Sequence, residues 1–204
     1  LHFNLETAVS TIKAWLSGFE SGEALILAGD EIIADLAFGV TANDFEEALR
    51  KLGIALGFAS QRPDKEWKEG PDNLWALREG VYLLFEAKNE VEASRTEIFK
   101  EETGQINNAC AWFKKNYPGA QAKNILIAPT RVVAKAAGFN EPVQIMQKKQ
   151  LKDLCTRFRQ FLLEMKQADL KDISDESLQK ALQKHYLDID DLVTRYSVEP
   201  MPPS

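Results

Sequence analysis

Three side chains in this sequence could form a reaction centre: Asp72, Glu86 and Lys88. Glu86 and Lys88 stand two apart at the end of the apolar run Val81 to Ala87. On a strand, alternation puts Tyr82, Leu84, Glu86 and Lys88 on one face and Val81, Leu83, Phe85 and Ala87 on the other. Asp72 precedes Glu86 with thirteen residues between them, at the start of a second apolar run, Leu74 to Leu77. Arg78-Glu79-Gly80 reads as the turn between the two runs, so a hairpin returns Asp72 to Glu86. Two carboxylates converging at strand ends make a hard oxygen site suited to Mg²⁺ or Mn²⁺, and the backbone carbonyl of Ala87 is a further ligand within reach. A cation held there polarises a phosphoryl group and acidifies a water, and Lys88 beside it could orient that water or stabilise developing charge. Without Asp72, Glu86 and Lys88 read more readily as a surface ion pair at the end of an edge strand.

Other elements must bring these residues together. Ahead of the hairpin, Thr41 to Leu56 reads as a helix capped by Thr41 or Asn43, with Phe45, Leu49, Leu52 and Leu56 as its apolar stripe. Glu46 and Glu47 flank that stripe, where each alone is an ordinary acid favoured by the helix start. Ser60 to Glu66 is polar and contains Pro63, so it reads as a loop. After the hairpin, the charged stretch Glu90 to Glu102 reads as a loop, and Ser94, Arg95 and Thr96 there could touch a phosphate or cap a turn. A helix then starts at Thr103 or Gly104 and stops at Asn116-Tyr117-Pro118-Gly119. Asn124 to Ala128 fits a buried strand, parallel to its neighbour through a crossover. Arg131 to Ala137 reads as a helix and Val143 to Met146 as a short last strand.

The flanks are helical in pattern. Leu5 to Leu16 is amphipathic, and Ala24 to Phe38 reads as a helix broken at Gly29. Leu151, Leu154, Cys155, Phe158, Phe161, Leu162 and Met165 form a strong stripe. Asp172 to Tyr186, capped at Ser174 or Asp175, and Leu187 to Tyr196 follow, and Val198 to Ser204 reads as a frayed tail or linker. The expected organisation is an N-terminal helical extension (1–40), a core (41–147) and a C-terminal helical region with tail (148–204).

Composition narrows the function. The chain has 204 residues and a formal net charge of −6, which argues against a broad basic surface for nucleic acid but fits a site that needs divalent cations. No apolar run reaches the roughly 20 residues of a membrane span. The start is not a signal peptide, and the missing initiator Met suggests a trimmed chain or excised domain. Two distant cysteines, Cys110 and Cys155, read as buried free thiols in a reducing compartment, so the expected location is cytoplasmic. His185 has no companion ligands at zinc spacing.

Pro71-Asp72, a short hairpin and Glu86-Ala87-Lys88 resemble the signature of the PD-(D/E)XK nuclease superfamily, the restriction-endonuclease-like fold. The resemblance covers about Asn43 to Phe139 and implies an α/β mixed sheet flanked by helices, with helical additions at both ends. It implies that Asp72 and Glu86 bind Mg²⁺ or Mn²⁺ and that Lys88 assists hydrolysis. Phe45-Glu46 and the helix end Leu56-Gly57-Phe58 are similar to Mrr-like members, which makes Glu46 rather than Glu47 the extra carboxylate. Gln105 has the place of a helical Gln found in some branches, although position 109 is Ala where those branches carry Tyr or His. The implied activity is phosphodiester hydrolysis, with DNA as partner, fused or associated DNA-processing domains as further candidate partners, and a dimer among the open states. The competing readings are a noncatalytic nucleic-acid- or protein-binding module on the same fold, and a metal-dependent phosphohydrolase of nucleotides.

Overall fold

The computed structural model describes residues 8–91 and 93–204. In chain order the elements are α1 (Ala8–Ser17), α2 (Gly22–Asp35), α3 (Ala42–Ala55), β1 (Ala59–Gln61), α4 (Pro63–Trp67), β2 (Asn73–Arg78) and β3 (Val81–Ala87). They continue with α5 (Lys100–Asn116), β4 (Gln121–Ile127), β5 (Val143–Met146), α6 (Lys148–Met165), α7 (Asp175–Lys184) and α8 (Ile189–Thr194). The fold is α/β: a five-stranded mixed sheet in the order β1-β2-β3-β4-β5, flanked by helices. β1, β2 and β3 pair antiparallel, whereas β3-β4 and β4-β5 are parallel. α5 is the crossover that the parallel β3-β4 pair requires.

The alternation read along Val81 to Ala87 sorts the core. Leu83, Phe85 and Ala87 join Trp75, Leu77, Ile125 and Ile127 in a layer shared with α1, α2, α3, α6, α7 and α8. Tyr82 and Leu84 join Leu74, Ala76 and Leu126 in a second layer under α5, with Ile106, Ala109, Cys110 and Phe113 from that helix. Both cysteines are free and buried.

Several local expectations change. Of the predicted helix Leu5 to Leu16, residues 5–7 lie outside the described residues. α2 runs through Gly29 without a break; a Cβ there would overlap Leu162 of α6, so the glycine serves close helix packing. The stretch read as a loop over Ser60 to Glu66 contains the end of β1 and most of α4, with Pro63 at the first helical turn. α5 starts at Lys100, earlier than Thr103, with Glu101 and Glu102 in its first turn.

Arg131 to Ala137 is not a helix. Its backbone groups are engaged elsewhere: Ile98 N donates to Val132 O (2.7 Å), Ala134 N to Ile98 O (2.9 Å) and Val133 N to Met201 O (2.8 Å). Adjacent β-branched Val132 and Val133 suit this extended pairing. The tail is likewise tied down. Val198 and Ile145 exchange both backbone hydrogen bonds at 2.8 Å, so the tail covers the free edge of β5.

Candidate active site

The hairpin register builds the centre. Asn73 pairs with Phe85, so one further step sets Asp72 opposite Glu86. Ala87 N–H donates to Asp72 Oδ2 at 2.8 Å, fixing that carboxylate against the end of β3. Lys88 N–H donates to Ile127 O at 2.8 Å, which extends the β3-β4 ladder one residue beyond the strand. The loop before β2 is closed by Asp64 N–H donating to Pro71 O at 3.1 Å, immediately ahead of Asp72.

Asp72, Glu86, Lys88 and Gln105 line one cavity of about 390 Å³. Gln105 comes from α5, and Asn108 and Ala109, one turn on, line it too. Asp64, Lys68 and Gly70 contribute from the α4-β2 side. A cavity of similar size, about 400 Å³, lies against α1, α2 and α3, but it sets Glu31, Asp35, Asp44 and Glu47 against one cation, Lys51. Its walls lack the convergent strand-end groups of the first.

Burial and mutual repulsion act on the paired acids. Burial pushes the Asp72 carboxyl above its ordinary range, opposed by the Ala87 N–H and the Lys88 charge. Glu86, 6% exposed, is pushed well above its ordinary range by burial and then by Asp72. Two carboxyls so placed repel each other when both are charged, and a shared proton or a bound cation relieves that repulsion. The donor set suits a hard divalent ion. Among the described residues no group of three or more His, Cys, Asp and Glu side chains is placed to hold a metal. A cation between Asp72 and Glu86 would therefore draw its other oxygens from backbone, water or substrate phosphate. At Ala87 the N–H is already committed to Asp72.

Glu46 sits beside this group and does not line its cavity. Asn73 Nδ2 donates to Glu46 O at 2.9 Å, which ties α3 to the first residue of β2. The start of α3 is held by Thr41, whose Oγ1 accepts from Asp44 N at 3.2 Å, and by Glu90 Oε1, which accepts from Ala42 N at 2.6 Å. Asn43 is not the cap. The Glu46 carboxyl is raised by burial and by the Asp72 charge, while Arg62 pairs with it and pulls the other way. Glu47 instead pairs with Arg50 at 2.6 Å, and its carboxyl is lowered chiefly by that bond. Of the two acids, Glu46 is the one that feels Asp72.

The sequence reading missed Arg62. Its side chain is only 4% exposed and holds both Glu46 and Glu47, the latter at 3.5 Å. Pro63 followed by Asp64 and Glu66 was a legible helix start, but no local pattern pairs residue 62 with residue 46. Asn108 was accessible to reasoning, since it stands three residues from Gln105 on one helix face. Ser94 to Thr96 lie apart from the cavity walls: Arg95 pairs with Glu102 and covers the Phe99 ring at 4.7 Å, while Thr96 O accepts from Thr130 Oγ1 at 3.1 Å. His185 pairs with Glu164. In comparisons with known proteins, no family model, no curated protein and no solved structure matches this chain.

Proposed function

We propose that this protein is a divalent-metal-dependent nuclease that hydrolyses phosphodiester bonds in DNA, built on a restriction-endonuclease-like sheet. The observation that carries this reading is the hairpin register that sets half-buried Asp72 against buried Glu86, with Lys88 and Gln105 lining the same cavity. The order of these residues along the chain, Pro71-Asp72 then Glu86-Ala87-Lys88, agrees with the nuclease signature it resembles.

Asp72 and Glu86 would hold Mg²⁺ or Mn²⁺, which when bound polarises a phosphoryl oxygen and lowers the pKa of a water. Lys88, on the same strand face as Glu86, orients the attacking water or neutralises charge that develops on the phosphate. Gln105, exposed at the cavity mouth, donates to a phosphate oxygen or to that water. Glu46 shapes the local field through Asp72 and is positioned by Arg62 and Asn73. The acidic balance of the chain places the burden of phosphate binding on this cavity.

The test is cleavage of labelled DNA in Mg²⁺ and Mn²⁺ by wild type, Asp72→Asn and Lys88→Ala, together with calorimetric Mn²⁺ binding. Both variants are expected to fold and to lose cleavage, and Asp72→Asn to lose Mn²⁺ binding as well. Cleavage unchanged in both variants refutes the assignment.

A further inference from the structure

Beside the cavity lies a pair of indoles: Trp112, which packs on the edge of the second core layer, and Trp67, which lies outside it. Trp67, at the end of α4, is 49% exposed and stacks on Trp112 of α5, with ring centroids 6.2 Å apart and planes 23° from parallel. Trp112 is braced from behind. Gly70, at φ +91°, lies flat on its ring, where a Cβ would come within 2.8 Å, and Tyr117 packs against it with centroids 5.9 Å apart.

The pair adjoins the reaction centre on both of its elements. Lys68, Glu69 and Gly70, the residues directly after Trp67, line the cavity. Gln105, Asn108 and Ala109 line it from α5, and Trp112 continues that helix face at the i, i+3, i+4, i+7 spacing. Gln105 and Trp112 are separated by about 10 Å along the helix axis. A strand whose phosphate occupies the cavity and that runs along α5 would set a neighbouring nucleotide against the indoles.

Resting on the nuclease reading of this cavity, we propose that Trp67 and Trp112 form a base-stacking platform that makes unpaired nucleotides, in a single strand or a frayed end, the preferred substrate over intact duplex. Two physical arguments lead there. An exposed indole face can accept a nucleobase only when that base has left its own stack. The chain also carries a net charge of −6, so a broad set of phosphate contacts does not supply the affinity, and stacking adds to what the cavity itself provides. Lys65 and Lys68 flank Trp67 and accept the backbone locally, among Glu66 and Glu69.

The experiment measures binding of a short labelled oligothymidylate and of a duplex of equal length by anisotropy, in Ca²⁺ to slow cleavage, for wild type, Trp67→Ala, Trp67→Phe and Asp72→Asn. The wild type is expected to favour the single strand, with its indole fluorescence quenched on binding. Trp67→Ala is expected to weaken single-strand binding by about 10- to 100-fold, the range set by loss of one stacked base, while Trp67→Phe recovers much of it. Duplex binding and the melting temperature should stay unchanged. Single-strand affinity preserved within about twofold in Trp67→Ala, or no single-strand preference in the wild type, overturns the platform. The two readings fail separately. If Trp67→Ala loses the single strand and no protein cleaves in Mg²⁺ or Mn²⁺, the platform stands and the nuclease falls. If Asp72→Asn abolishes cleavage and Trp67→Ala binds and cleaves as wild type, the platform alone falls.

Discussion

Replacing Arg62 by Met tests the buried charge network that flanks the site. The guanidinium is 4% exposed and pairs with Glu46, itself 17% exposed, and at 3.5 Å with Glu47. Breaking one side of a fully buried pair costs about 3–5 kcal/mol, because the remaining charge is left without compensation. Three features lower that figure here. Glu47 keeps Arg50 at 2.6 Å, so the loss falls mainly on Glu46. Glu46 is not wholly shut off from water, and it can take up a proton. Arg62 Nε has no hydrogen-bond partner, so removing it relieves one buried unpaired donor. The expected loss is about 2–3 kcal/mol at pH 8. In urea unfolding this lowers the midpoint by about 1 M with the slope unchanged. Because the penalty falls on charged Glu46, whose carboxyl is already raised by burial and by Asp72, the loss should shrink at pH 5. The double variant Glu46→Gln with Arg62→Met should recover most of the stability. A loss below about 0.5 kcal/mol, or an equal loss at both pH values, refutes the argument.

Further outcomes can be checked in the same preparations. In EDTA the raised Asp72 and Glu86 carboxyls bind protons more tightly folded than unfolded. The pair therefore favours folding below ordinary carboxylate values, and that contribution is lost as pH rises through the raised values. Mn²⁺ should raise the melting temperature more at pH 8 than at pH 5, with the difference abolished in Glu86→Gln; equal shifts would contradict the pairing. Gly53→Ala would set a Cβ 2.5 Å from Trp75 Nε1 and 2.7 Å from Ser60 Oγ. This overpacking against fully buried Trp75 should cost about 1–3 kcal/mol by chemical denaturation, despite the better helix propensity of Ala. Burial pushes the Cys110 and Cys155 thiols up to about 12, so neither should react with a thiol reagent at pH 8 until the chain unfolds. Rapid labelling of the native protein would show that one of them opens.

The parts that were legible in the sequence obey short-range rules. Period-two alternation sorted Tyr82, Leu84 and Glu86 from Leu83, Phe85 and Ala87, and the two faces are found in separate core layers. The turn at Arg78-Glu79-Gly80 was enough to foresee that Asp72 returns to Glu86. The illegible parts depend on distant partners. Val132 and Val133 are extended because Ile98 and Met201 take their backbone bonds, and the segment's own residues give no hint of either. Arg62 is buried because Glu46 and Glu47 face it across a turn of chain that reads as polar loop. Trp67 is a different case: the sequence shows an aromatic residue among charges, but only the fold puts it against Trp112.

The irregular step between Ala76 and Arg78, where β2 carries an extra residue before the turn, gives the hairpin a second significance. That extra residue acts as a phase setting for both strands. Changing the count by one would slide β2 past β3 and turn alternate side chains over, so Asp72 and Glu86 would face opposite sides of the sheet. The turn lies about 20 Å from Glu86 along the strand. An insertion or deletion there, in exposed chain that touches nothing catalytic, would act on the carboxylate pair as an all-or-none switch. Substitutions at Glu79 would leave the phase intact. The site should therefore tolerate changes of residue identity at the far end of its hairpin while remaining intolerant of changes in length.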